Sequence, residues 1–140
     1  MKTIIVQLMT MVLVSAGFTT ARGATGAEKL AASAAMDWFF LIDSGRYAES
    51  RNEASILFRG AVSEPGWVAS LDGMRKPLGR ALRRELAGTR QSGSLPGAPD
   101  GRYVVMTMQT AFEHKQSATE TVTFMLEKDG VWRAAGYFIK

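Results

Sequence analysis

The chain has 140 residues, with 17 Lys and Arg against 13 Asp and Glu, one His and no Cys. That length suits one domain and is short for two. Without Cys no disulfide framework or lipoprotein linkage can form, so the fold must rest on its own core.

Met1-Lys2 gives a short positive start, and residues 3–18, TIIVQLMTMVLVSAGF, carry no charge. Small residues follow in TTARGA. A small-x-small cleavage site falls after Ala21 (Thr19 at −3) or after Gly23 (Ala21 at −3). This is the pattern of a secretory signal peptide over residues 1–23. The run is short for the ~20 residues of a membrane span. The expectation is an exported, periplasmic or secreted protein with one domain over residues 24–140. For such a chain nucleic acid is a poor partner. With a net charge of +4, an acidic protein surface or an anionic envelope component is easier to engage.

Thr25 and Glu28 are spaced as a capping box. Behind them, over 26–43, Leu30, Ala34, Trp38 and Leu41 recur at helical spacing, widened by Ala31, Ala35, Phe39 and Ile42. So broad a stripe predicts a helix lying across a sheet, with Gly45 as its left-handed stop. A second helix is predicted over 46–61, with Tyr47, Ala54, Leu57, Phe58 and Ala61 on one face. Ser63 caps a third, with Glu64-Pro65 in its first turn and Trp67, Leu71, Met74 and Leu78 aligned. Pro77 and Gly79 end it.

Residues 80–92, RALRRELAGTRQS, have helical propensity, yet Leu82, Arg84, Leu86 and Gly88 alternate, and a strand is assigned. LPGAPDG at 95–101 is a connection, with Pro99-Asp100-Gly101 read as its turn. It has neither the lysine nor the following helix of a phosphate loop. Residues 102–112 form a strand with Val104, Met106, Met108, Thr110 and Phe112 on one face. Residues 119–127 form the next, with Val122, Phe124 and Leu126 together. KDG at 128–130 makes a hairpin into a last strand at 131–139. Three helices followed by three or four antiparallel strands predict an α+β domain, with helices packed on one face of a curved sheet.

The runs DWFFLIDSGRYAES, WVASLDGMRKPLG, LPGAPDGRYVV, FEHK, ETVTFMLEKDG and WRAAGYFI, taken together, resemble a bacterial exported family known as domain of unknown function 4019, over roughly residues 30–140. The resemblance implies an exported α+β domain, with an NTF2-like cone as the fold and a cystatin-like arrangement as the alternative. It transfers no catalytic residue. One position departs from the family pattern: Arg51 stands where an aromatic usually follows the serine.

Individual side chains point to little chemistry. His114, the only His, sits between a strand end and a polar turn, beside Glu113 and Lys115, whereas a general base needs an orienting carboxylate and a pocket. One His, no Cys and scattered acids do not make a metal site, and nothing calls for a cofactor. Asp37 and Asp43 lie six apart, about 120° around a helix. With Glu113 they are the candidate acids should the cone hold one. Trp38, Tyr47, Trp67, Tyr103, Trp132 and Tyr137 could line an apolar pocket, or simply fill the core. Arg75, Lys76, Arg80, Arg83, Arg84 and Arg90 form a basic segment able to contact an anionic partner, or a charged edge that discourages strand pairing. These features favour a non-enzymatic binding or interaction module. The alternative is an NTF2-like domain for a small apolar ligand, with acid/base activity. A homodimer through the sheet fits either reading.

Overall fold

A computed structural model describes residues 25–140. The expected leader, residues 1–23, lies outside the described residues. Four α-helices precede four strands: α1 (Gly26–Asp43), α2 (Tyr47–Asn52), α3 (Ile56–Ala61), α4 (Glu64–Met74) and a 3-10 turn at Lys76–Leu78, then β1 (Ala81–Ser92), β2 (Tyr103–Phe112), β3 (Lys115–Leu126) and β4 (Trp132–Ile139). The strands pair in the order β1-β2-β3-β4, every pair antiparallel. The class is α+β, with one more helix than the apolar pattern predicts.

Helix α1 starts where the cap places it: the Thr25 hydroxyl accepts from the Glu28 N–H at 3.2 Å. Its buried face is Ala31, Ala35, Trp38, Phe39 and Ile42. Leu30, at the head of the expected stripe, is 63% exposed. The core therefore lies on Trp38 of that stripe and on the residues expected only to widen it. Ala34 and Leu41 are half-buried on its flank.

The helix expected over 46–61 is two helices. Ser55 breaks it, because its hydroxyl accepts from the Phe58 N–H at 3.1 Å and restarts the helix as an N-cap. Its own N–H donates to the Ala134 carbonyl of β4 at 2.9 Å. Sheet pairing and capping together outweigh helical continuity. Arg51 donates to the Val62 and Arg59 carbonyls at 2.9 and 3.0 Å, tying α2 to the end of α3.

Ser63 caps α4 through the Gly66 N–H at 3.2 Å. Gly79 follows the 3-10 turn with φ +76°, and a Cβ there would sit 2.9 Å from Glu113 Cβ, so only glycine fits.

In β1, register shifts between Ala81 and Arg83 and between Leu86 and Gly88 interrupt the predicted alternation. Arg84 and Leu86 pair with the inward residues Thr110 and Met108, whereas Gly88 pairs with Thr107 on the outer face. A β-bulge shifts side-chain parity in this way. Strand β3 begins four residues earlier than its apolar residues suggest. The turn before it is Glu113-His114, because Lys115 pairs with Phe112. In the connection at 93–102 the tight turn is centred on Pro96-Gly97: the Ala98 N–H donates to the Leu95 carbonyl at 3.1 Å and Gly97 has φ +77°. The expected turn at Pro99-Asp100-Gly101 is displaced because Gly101 N–H bonds back to the Gly93 carbonyl and the Tyr103 hydroxyl donates to the Pro99 carbonyl. The connection thereby folds under the outer sheet face and buries Tyr103.

Between helices and sheet, α1 contributes Trp38, Phe39 and Ile42, α4 contributes Trp67 and Leu71, and the strands contribute Met106, Met108, Val122, Phe124 and Tyr137. Burying one such side chain contributes about 1.5–3 kcal/mol.

Candidate functional site

At one end the interior continues into a cluster of charges, with Asp43 partly exposed at its edge. Asp43 ends α1, Arg75 follows α4, Arg84 lies inward on β1 and Glu120 inward on β3. Arg84 joins the two acids. Its Nε donates to Glu120 Oε1 at 2.7 Å, and its two terminal nitrogens donate to Asp43 at 2.8 and 3.0 Å. Arg75 donates to Asp43 at 3.1 Å and to the Gly79 carbonyl. Glu120 is fully buried and also accepts from the Thr110 hydroxyl at 2.6 Å and from the Tyr137 hydroxyl. The arginine planes rest on aromatic rings, Arg84 4.1 Å from the Phe39 centroid and Arg75 4.5 Å from that of Phe112.

Two cations and two carboxylates cancel in charge. Burial pushes the Asp43 carboxyl up, but Arg84 and Arg75 outweigh it and hold the group below the usual carboxylate range. Burial likewise opposes the Arg84 charge, and Asp43 and Glu120 overcome that and raise its pKa. Tyr137 is raised well above its ordinary value by burial and then by the neighbouring Glu120 charge. A buried ion pair is weak evidence of net stability, while breaking one is costly. Glu120 has no solvent exposure, and its oxygens are taken up by the Arg84, Thr110 and Tyr137 donors. The cluster is a clamp between α1, β1 and β3.

Glu120 was legible in principle. It alternates with Ala118, Val122 and Phe124 along β3, all buried, so extending the apolar face back by two residues reaches it.

The expected acids separate. Asp43 is the clamp residue. Glu113 accepts from the Arg80 N–H at 2.7 Å and from its Nε at 3.0 Å. Asp37 borders an open groove of about 390 Å³, within the ~300–1,000 Å³ of ligand sites. Trp38, Phe124 and Trp132 line its base, with Glu49, Glu53 and Arg133 among its other walls. Glu49 pairs with Arg46, and Arg133 with Glu127 and Asp129. Among the described residues Asp37 and Glu53 have no cationic partner. A second depression, about 520 Å³, lies beside Tyr47, Asn52, Asp72 and Lys76.

The six aromatics do not share a cavity. Trp38, Trp67 and Tyr137 pack on one another, with Trp38 5.6 Å from Tyr137 and 6.1 Å from Trp67. Trp132 reaches the groove, Tyr47 borders the other depression, and Tyr103 lies on the opposite sheet face. The basic segment also divides. Arg75 and Arg84 turn inward to the acids, whereas Lys76, Arg80, Arg83 and Arg90 are exposed. Of these, Arg80 pairs with Glu113 and Arg83 lies 3.7 Å from Glu85. His114 is exposed, its N–H donating to the Leu78 carbonyl at 3.0 Å. Among the described residues no three His, Cys, Asp or Glu converge as metal ligands, and no helix is long and apolar enough to cross a membrane.

Residues 34–137 match the family described as protein of unknown function DUF4019. The chain belongs to that family. The DUF4019 match runs from the middle of α1 to Tyr137, so it includes all four clamp residues, the groove and all but the last residues of β4. No curated protein matches the chain.

Proposed function

We propose that this DUF4019 protein is an exported, periplasmic binding module and that the groove beside α1 holds its ligand. Export rests on the leader pattern of residues 1–23. The observation that carries the binding reading is the division of the acids. Glu120 and Asp43 are consumed by arginines, while Asp37 and Glu53 stand without cations beside an aromatic groove. A closed aromatic interior with a saturated acid offers no general base to a substrate. Carboxylates at the rim of an apolar depression suit a small ligand with an apolar body and a positive charge, since cations are drawn both to carboxylates and to indole rings. The NTF2-like cone is the arrangement we favour for the helices and sheet, with the groove opening at its side rather than at its centre.

The test is calorimetric titration of the purified protein with phenethylamine, using phenylacetate as its anionic counterpart. Binding of the amine, weakened about tenfold by Asp37→Asn with Glu53→Gln, is the expected result, one rim charge pair contributing about 1 kcal/mol. Equal binding of amine and acid, or of neither, would remove the groove as the site.

A further inference from the structure

Strand β1 is an edge. It pairs with β2 along one side, and among the described residues no strand pairs with the other. Its flank is unusually apolar. Leu82 is 61% exposed and Leu86 45%, while Met36 and Phe40 on α1 are 42% and 62% exposed. Thr89 bonded to Glu28 and Arg84 bonded to Asp43 bracket this flank, so Leu86 on β1 lies between the same two ties as Met36 and Phe40 on α1. An uncovered edge beside apolar side chains is a site for strand addition.

The bulge at Leu86–Gly88 shows which strand fits. In a regular strand Glu85 and Arg90, five apart, would face opposite sides. Here Glu85 pairs with Gln109 and Arg90 with Val105, four apart on β2, so both face outward. Leu86 and Thr89 pair with Met108 and Met106, and both face inward. From Arg84 to Gln91 the strand therefore reads the same in either direction about Ala87-Gly88.

We propose that β1 pairs antiparallel with β1 of a second copy of this chain, about a two-fold axis through Ala87-Gly88. This sets Glu85 opposite Arg90 of the other copy, twice, and Leu86 opposite Thr89, also twice. Closed two-fold symmetry demands such self-complementarity. The axis stands perpendicular to the sheet, so both α1 helices lie on one side and the apolar flanks of Met36 and Phe40 approach each other. The bulge, which elsewhere blunts an edge, brings the complementary charges to one face.

Sedimentation equilibrium of the full domain over a concentration series tests the pairing, with circular dichroism confirming the fold of each variant. A reversible dimer is expected. Leu86→Lys places like charges near the axis and should raise its dissociation constant about tenfold or more. Glu85→Arg and Arg90→Glu should each weaken it, and the double reversal should restore it, because the exchanged pair is again complementary. A monomer throughout, a dimer indifferent to Leu86→Lys, or single reversals not rescued by the double one would each overturn the proposal.

Discussion

The interior is held in two ways. At one end Trp38, Trp67, Phe58 and Phe124 meet edge to face or stacked, with centroids 4.9 to 6.5 Å apart. At the other, Asp43, Arg75, Arg84 and Glu120 form a charged clamp. Tyr137 belongs to both. Its ring packs on Trp38, Phe39 and Trp67, and its hydroxyl donates to Glu120. Aromatic contacts tolerate small displacements and ignore pH. The clamp is sensitive to the loss of a charge, most of all where Arg84 is lost and Glu120, which has no solvent exposure, is left without its cation.

The largest difference should come from removing Arg84, which serves both acids. Arg84→Ala is expected to cost about 3–5 kcal/mol at neutral pH, read from denaturant unfolding. Its pH dependence is the sharper signature. In the native protein Asp43 has a lowered pKa, so its contribution is present above about pH 4 and is lost as pH falls through the folded value. The penalty of Arg84→Ala should therefore shrink on acidification. A penalty unchanged between pH 7 and about pH 3 would mean that Asp43 carries no charge in the clamp.

Trp67→Ala, at the aromatic end, should cost a similar 3–5 kcal/mol. It also frees the Ser50 hydroxyl, which accepts from the indole N–H at 2.9 Å. Its effect should be flat across the same pH range, and a slope like that of Arg84→Ala would erase the distinction between the two ends.

Tyr137→Phe keeps the ring and removes one donor to Glu120. A loss of about 1.5–3 kcal/mol is expected for a hydrogen bond to a charged group, with near-ultraviolet dichroism little changed. The tyrosine's raised pKa also predicts an alkaline effect. Its stabilisation is complete below about pH 10 and falls away as pH rises toward the folded value. The phenylalanine variant should lack that loss. If it retains the alkaline limb, another group is responsible.

The two ends also differ in how far they can be read from residues alone. Trp38, Trp67 and Tyr137 announce burial by their chemistry, and their helical or strand spacing places them inside. The class, the antiparallel order and the helix caps at Thr25 and Ser63 follow from equally local signals. The clamp is not local. Asp43, Arg84 and Glu120 are separated by 41 and 36 residues, and each is a residue type that usually faces water. A run of arginines from 75 to 90 therefore looked like one basic surface, while the fold turns two of them inward. The bulge at Leu86–Gly88 and the break at Ser55 were hidden for the same reason. Each is decided by a neighbouring strand. The groove at Asp37 lies on the flank of α1 that the apolar stripe had placed in the core.

The long separation of the clamp's members bears on how the chain folds. β1 to β4 form a meander in which each strand finds its sequence neighbour, so these pairings close short loops. Asp43 reaches Arg84 only when α1 lies across the sheet. Until then Arg84 and Glu120 can remain hydrated, and drying the interior before the helix arrives would strand their charges. Docking of α1 and expulsion of water should therefore occur as one late step. Mutations in the clamp would then mainly accelerate unfolding, and those in the meander would mainly slow folding.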